Sequence, residues 1–338
     1  MLLSSTSLVT GRSRPWPEAE ARISTGAWKE FEPVQPLQLV GARKALEAEG
    51  KVIVETTSHT PAVTTVRLPF EAGDKRRVER LRGERRKHYR KYLSWAQDGN
   101  LSGKHAERVV LASAVEVASE AGLWVPPQKV GEIREVDGVP ISRGPLDVLA
   151  HVMEVPQPTA DAALIIEVKN IHSWIYPWTA ELWELLTKAA ELAEQTPVMP
   201  VLVCARAGYQ TNQMAKDVGF LACYLGEQLF NPVIDEQEFA AIVEEFGLVI
   251  TQHEGPSDPV LIFLTKTLRR SPPFSPPYDE DIPFYRRQVQ RFQTMAPVVS
   301  HFQTLADGSL SGSARRAVFR QFAAEARQSA HWPLVAGW

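Results

Sequence analysis

The order of elements along the chain predicts an α/β protein with a core of order αβββαβαβ, an α+β segment ahead of it and a helical extension behind. Two observations carry that prediction. Between residues 101 and 232, apolar runs of strand length alternate with stretches of 3.6-residue apolar period. Gly and Pro mark the junctions, as at Gly122, Arg143-Gly144-Pro145 and Pro156–Ala160. With 338 residues and 44% hydrophobic composition, the chain can bury a sizeable core in two or three domains.

Taken in order, Pro36–Gly50 has a helical pattern containing Leu37, Val40 and Leu46. Two β-rich runs follow, Lys51–Thr57 and Ala62–Leu68, joined at Ser58-His59-Thr60-Pro61. Residues 1–73 are therefore expected to form an N-terminal α+β domain. Residues 74–100 form a basic linker helix. From Lys75 to Lys91 there are ten Lys or Arg against two Glu, although the whole chain has a formal net charge of −3. A run this dense suits a polyanion, and the candidates for contact in it are Lys75, Arg76, Arg77, Arg80, Arg85, Arg86 and Lys87, with Tyr89 and Tyr92 interleaved.

The core region, 101–232, opens with Lys104–Gly122, an amphipathic helix closed by Gly122. At 100° per residue, Val110, Leu111, Ala114, Val117, Ala118 and Ala121 cluster around the direction of Glu107, whereas Glu116 falls on the opposite, polar side. Trp124–Glu132 is read as the first strand, Leu146–Val152 as the second and Ala162–Val168 as the third, with Pro156–Ala160 as a hairpin loop. Ala180–Gln195 is helical in pattern, Val198–Ala205 a strand, Thr211–Val218 a helix and Phe220–Leu225 a strand. In the extension, 233–338, Glu236–Phe246 reads as a helix. Leu248–His253 with Val260–Lys266 reads as a hairpin, Arg270–Pro283 as a Pro-rich crossing, and Ile282–Phe302 and Ser311–Arg327 as helices.

The chemistry concentrates on the second and third strands. Strand side chains alternate between faces, so Glu167 and Lys169 point one way while Leu164, Ile166 and Val168 point the other. Pairing with the strand of Asp147 would bring two carboxylates together, hard oxygen ligands suited to Mg²⁺. Asp147 followed by Glu167-Val168-Lys169 resembles the PD-(D/E)xK nuclease superfamily. Gly103-Lys104-His105-Ala106-Glu107 is similar to the first motif of its Holliday-junction-resolvase-like members, in which the helix glutamate joins the metal site. The proline of the name stands here at Pro145, two residues before Asp147.

The resemblance covers roughly residues 103–232. It implies a restriction-endonuclease-like mixed central sheet flanked by helices. It also implies Mg²⁺, with Mn²⁺ able to substitute, held by Glu107, Asp147, Glu167 and the carbonyl of Val168. Lys169 would then assist the attacking water. The expected activity is hydrolysis of DNA phosphodiesters, and the expected partner is duplex DNA, with a homodimer where both strands are cut. The competing reading is a DNA-binding regulator or assembly factor on a nuclease-like fold, and a third is an RNA or single-strand nuclease.

Other residues carry weaker signals. Asn170, His172 and Ser173 follow the catalytic strand, where they either touch DNA backbone or form an ordinary strand exit. Lys188 either faces the site and meets a phosphate or sits in solvent. Trp174, Trp178 and Trp183 either stack on unpaired bases or pack the following helix. His151 lies too far along its strand to be a ligand. The helix and hairpin of the N-terminal region resemble the recognition helix and wing of a winged helix-turn-helix domain, which would make Arg43 and Lys44 groove or backbone contacts. A plain α/β extension is the other reading. Arg315, Arg316, Arg320 and Arg327 are a second basic surface, DNA-facing or simply solvated. Cys204 and Cys223 lack the spaced partners of a zinc site and read as buried free thiols. No leader pattern and no bilayer-length apolar run is seen, so a soluble cytoplasmic protein is expected.

Overall fold

The computed structural model describes residues 14–16, 36–56, 64–67, 87–153, 160–171, 173–246, 250–269 and 284–328. The chain divides into two compact units, Met1–Ser102 with Phe230–Gln252, and Gly103–Leu229 with His253–Trp338. In the first unit, β1 (Arg14–Pro15), helix α1 (Pro36–Ala48), β2 (Ile53–Thr56) and β3 (Thr64–Arg67) form a three-stranded sheet of order β1-β3-β2 with a helix between its first two strands. Trp16, Leu39, Val52 and Val66 are its buried core. The segment joining β2 to β3 lies outside the described residues, as do positions 75–86 of the basic run. Helix α2 occupies 87–97. Its tyrosines are packing anchors: Tyr89 and Tyr92 are buried with Trp95, Phe230, Ile234 and Phe239. Lys87 and Arg90 on the same helix are exposed.

The second unit is a mixed α/β fold with a central mixed sheet flanked by helices. Helix α3 (Gly103–Ala121) buries Ala106, Val110, Ala114, Val117 and Ala121, a stripe spaced three and four residues apart. Gly122, with φ +68°, ends it in the left-handed region and accepts the Met153 N–H at 2.8 Å. The strand expected over 124–132 is only β4 (Leu123–Trp124), because Pro126 and Pro127 offer no N–H to extend a ladder. Gln128 takes over the pairing, its side-chain amide donating to the Leu149 carbonyl at 2.7 Å and accepting the Leu149 N–H at 2.8 Å. A small hairpin that the sequence reading missed follows, β5 (Glu135–Val136) and β6 (Val139–Pro140), turning at Asp137 and Gly138 with φ of +50° and +83°.

The centre is built by β7 (Val148–Met153), β8 (Ala160–Lys169), α4 (Ala180–Ala193), β9 (Val198–Cys204), α5 (Tyr209–Val218) and β10 (Leu221–Tyr224). Sheet order is β10-β9-β8-β7-β4, with β7 antiparallel to β8 and β4, and β8, β9 and β10 parallel. Being central, β8 is buried on both faces, which is why its apolar run is nearly unbroken. Ala163 and Ile165 pack into the cluster containing Leu182, Leu186, Phe292 and Phe322, while Leu164, Ile166 and Val168 pack with Val110, Ala114, Val260 and Leu264. Each fully buried aliphatic side chain contributes about 1.5–3 kcal/mol relative to exposure.

After β10, residues 230–252 belong to the first unit and carry α6 (Glu236–Phe246). The remaining helices, α7 (Asp258–Arg269), α8 (Phe284–His301) and α9 (Gly312–Gln328), belong to the second. Residues 260–266, expected as a strand, lie within α7. Val260 and Leu264, four apart, are buried against the sheet, and the Ser257 N–H is held by Ser113 Oγ at 2.9 Å. Residues 270–283 lie outside the described residues. No helix among the described residues is long and apolar enough to cross a membrane. Cys204 and Cys223 are free and buried, and burial pushes the Cys223 thiol up to about 12.

Helix α8 crosses α5 at a glycine. Gly219 has φ +95°, and a Cβ there would stand 2.5 Å from the Phe292 nitrogen and 2.6 Å from the Gln288 carbonyl oxygen. Gly219→Ala is expected to lower stability by about 2–4 kcal/mol through backbone strain and overpacking. Urea unfolding checks this, and an unchanged midpoint would mean α8 does not pack here.

Candidate functional site

The site lies where β7 begins and β8 ends. Val148 pairs with Ile166, so one step further along the two antiparallel strands Asp147 stands level with Glu167. Asp147 occupies the bend that leads into β7 and is clamped twice. Its Oδ2 accepts the Val168 N–H at 2.7 Å, and its carbonyl accepts the Gly131 N–H at 3.3 Å. Glu167 and Lys169 share the face of Ala163 and Ile165, the face covered by α4.

Glu167 is 1% exposed, and both its oxygens are engaged by ammonium groups. Lys169 Nζ lies 3.2 Å from Oε2, and Lys188 Nζ, from α4, lies 2.5 Å from Oε1. Lys188 also donates to the Pro145 carbonyl at 2.7 Å, tying the turn before Asp147 to the acid on the next strand. It is buried, which excludes the solvent-facing alternative for this residue. Lys169 makes a second contact, to Glu184 Oε2 at 3.2 Å. The result is a chain of alternating charges, Lys188, Glu167, Lys169 and Glu184. Burial alone would lower the Lys169 pKa, but Glu167, Glu184 and Asp147 outweigh it and hold the ammonium above its ordinary range.

The third acid reaches the site from α3. Glu107 is half-buried, and its Oε2 is buried with no hydrogen-bond partner among the described residues. Gly131, with φ +67°, packs beside it, where an added Cβ would sit 3.4 Å from Oε2. Burial, and then the Glu167 charge, raise the Glu107 pKa. The same two causes, in the same order, push Asp147 up to about 7, against the pull of the Val168 N–H and Lys169. Glu116 is exposed on the opposite side of α3.

Asp147, Glu167, Val168, Lys169 and Lys188 are thus brought together by strand pairing and direct contacts, while Glu107, on the helix that packs against the other face of β8, is linked to Glu167 and Asp147 through their charges. Others are not. Asn170 is buried and its amide is spent on Leu229, donating to the carbonyl at 2.7 Å and accepting the N–H at 2.9 Å, so it has no face left for a DNA backbone. Arg43, expected in a groove, lays its guanidinium over Trp16, 4.6 Å from the ring centroid, while Lys44 is exposed. Lys75, Arg76, Arg77, Arg80, Arg85 and Arg86 lie outside the described residues, as does His172. His151 packs its ring at a tilt against Trp124, and its Nε2 stands 3.9 Å from Asp137, not from the site carboxylates. Trp183 is a packing residue, buried and donating to the Pro177 carbonyl at 2.7 Å, whereas Trp178 is part-exposed. Arg315 is used structurally, donating to the Asp307 and Gly308 carbonyls.

Glu184 was missed by the sequence reading. Its signal was the Glu184–Lys188 spacing of four, which puts opposite charges on one face of the helix that follows β8.

Among the described residues no three His, Cys, Asp or Glu side chains already converge as a metal cage. The donor set nevertheless fits a hard divalent cation. It offers only carboxylate and carbonyl oxygens, one buried carboxylate oxygen lacks a partner, and burial followed by the nearby Glu167 charge raises two of the acids. No family model, no curated protein and no solved structure matches this chain.

Two measurements follow from the electrostatics. A carboxyl raised from 3.8 to about 7 binds its proton more tightly in the folded state. Its stabilising contribution is therefore complete below pH about 4 and is lost as pH climbs through about 7. Asp147→Asn, which keeps an acceptor for Val168, should match the wild type in thermal stability near pH 4. It should exceed it by on the order of 2–4 kcal/mol at pH 8. An offset that does not vary with pH would exclude the raised carboxyl. Lys188→Met should cost about 3–5 kcal/mol by leaving a buried carboxylate short of one partner. An unchanged denaturation midpoint would show that this ion pair is absent in solution.

Proposed function

We propose that the chain is a Mg²⁺-dependent endonuclease of the PD-(D/E)xK type, hydrolysing DNA phosphodiesters. The observation that carries this reading is the level pairing of Asp147 with Glu167 at the β7–β8 junction, with Lys169 on the same face and Glu107 directed in from α3. Leaving aside the β5–β6 hairpin, the order α3-β4-β7-β8-α4-β9-α5-β10 and the sheet order β10-β9-β8-β7-β4 support a restriction-endonuclease-like core. Glu107, Asp147, Glu167 and the Val168 carbonyl would hold the Mg²⁺, for which Mn²⁺ could substitute. When bound, the ion would supply a Lewis acid and a bound water of lowered pKa.

The protein's own part is positioning and charge. Val168 N–H and Gly131 N–H fix Asp147, and Glu184 holds the Lys169 ammonium at the mouth of the site. From there Lys169 orients the attacking water and offsets negative charge that develops on the phosphate. The basic run from Lys75 to Lys91, with ten cations against two acids, would draw in the duplex. The β1-β3-β2 sheet with α1 leading into its hairpin supports a winged-helix reading of the N-terminal region. Cutting both strands with one site per chain calls for a homodimer or two successive visits.

One observation favours a second reading. Both Glu167 oxygens are satisfied by lysines, as they would be in a DNA-binding regulator that uses the fold without cleavage.

Supercoiled plasmid distinguishes the two. Nicking that needs Mg²⁺ or Mn²⁺ and stops in EDTA is expected, with Asp147→Ala, Glu167→Ala and Lys169→Ala each lowering the rate by at least about a hundredfold. Mg²⁺ should also raise the melting temperature of the wild type and not that of Asp147→Ala. Nicking that survives all three substitutions would sink the site assignment. Tight duplex binding with no cleavage of any DNA form would favour the regulator.

A further inference from the structure

A cavity of about 370 Å³ opens between the loop that precedes α4, the start of α5 and one face of α9. Trp178, Phe319 and Ala323 supply apolar wall, Gln210 an amide, and Arg316 and Arg320 two exposed guanidinium groups. No carboxylate lines it. Trp178 stacks on Tyr176, with ring centroids 5.1 Å apart and planes within 2°. Arg316 lies over that indole, 5.1 Å from the centroid.

A purely apolar ligand would leave the two guanidinium groups without a counter-charge. A small free anion would have no use for the indole. A ligand presenting both a π-face and negative charge satisfies both walls, and one nucleotide is of a size with this volume. Its place in the fold agrees: Trp178 lies between Lys169, which ends β8, and α4, whose Glu184 holds Lys169. Phe319 and Trp178 also belong to the core cluster on the Glu167 face of the sheet.

We propose that this cavity takes one unpaired nucleotide of a DNA substrate, its base displacing the Arg316 guanidinium from the Trp178 ring and its phosphates held by Arg316 and Arg320. This assigns a preferred substrate, duplex DNA with a single-stranded overhang, and for that it rests on the nuclease reading above. A base inside a duplex cannot present a free face to the indole, so a blunt duplex would leave the cavity unfilled.

Binding of labelled DNA to the full chain in EDTA tests the proposal independently of cleavage. A duplex with an overhang should bind about tenfold more tightly than the blunt duplex, as one stacked base and its phosphate contacts warrant. The double variant Arg316→Ala/Arg320→Ala should bring it down to the blunt level without changing blunt-duplex affinity. Removing the bases of the overhang, with its phosphates kept, should lose as much. Because Trp178 also packs on Phe319, Trp178→Phe and Trp178→Leu are compared at equal melting temperature, and Phe should retain the preference that Leu loses.

Equal affinity for blunt and overhanging DNA, or a preference that survives the arginine pair or loss of the bases, overturns the proposal. A preference without any cleavage keeps the cavity and rejects the nuclease reading. Cleavage without a preference does the reverse.

Discussion

Burial of Glu167 sets the terms for the rest of the site. A carboxylate 1% exposed at the end of a central strand is tolerable only with cationic partners, and two lysines from different elements supply them. Lys169 comes from the same strand and is steered by Glu184. Lys188 comes from α4, which must therefore pack at the angle and height that bring its ammonium to Glu167 and to the Pro145 carbonyl. The sheet, the helix that covers it and the turn before Asp147 are joined through one side chain.

That geometry forces the other acids into an unfavourable neighbourhood. Burial and then the Glu167 charge raise the proton affinity of both Asp147 and Glu107, and the Glu107 charge adds to the effect on Asp147. The loop after β4 maintains this crowding: Gln128 completes the edge of β7, and Gly131 leaves room for the Glu107 carboxyl while binding the Asp147 carbonyl. Acids held together against their mutual repulsion are a place where a cation binds with gain.

The central strands and the helices from residue 101 to 225 were largely legible because the strands are short, nearly unbroken apolar runs between Gly and Pro and the helices α3, α4 and α5 carry a 3.6-residue period. Glu107 was found from its place on the α3 stripe, and Glu167 with Lys169 from their shared parity. Where two patterns fit equally, the reading failed. Val260–Lys266 satisfies a short strand as well as a helix, and only the fit of Val260 and Leu264 against the sheet decides for α7. Asn170, Tyr89 and Tyr92 had the composition of a nucleic-acid surface, yet packing consumed all three.

By itself the sequence determined which residues share a face and which chemistry they can offer, since side-chain direction within one element follows from backbone geometry alone. Tertiary structure decided which elements meet. It buried Lys188 on Glu167, recruited Glu184, packed α7 and α8 against the sheet of the second unit, and set Trp178 opposite two arginines more than a hundred residues later in the chain. Contacts between residues far apart in sequence depend on shape and on the summed burial of many side chains, and no local pattern records them.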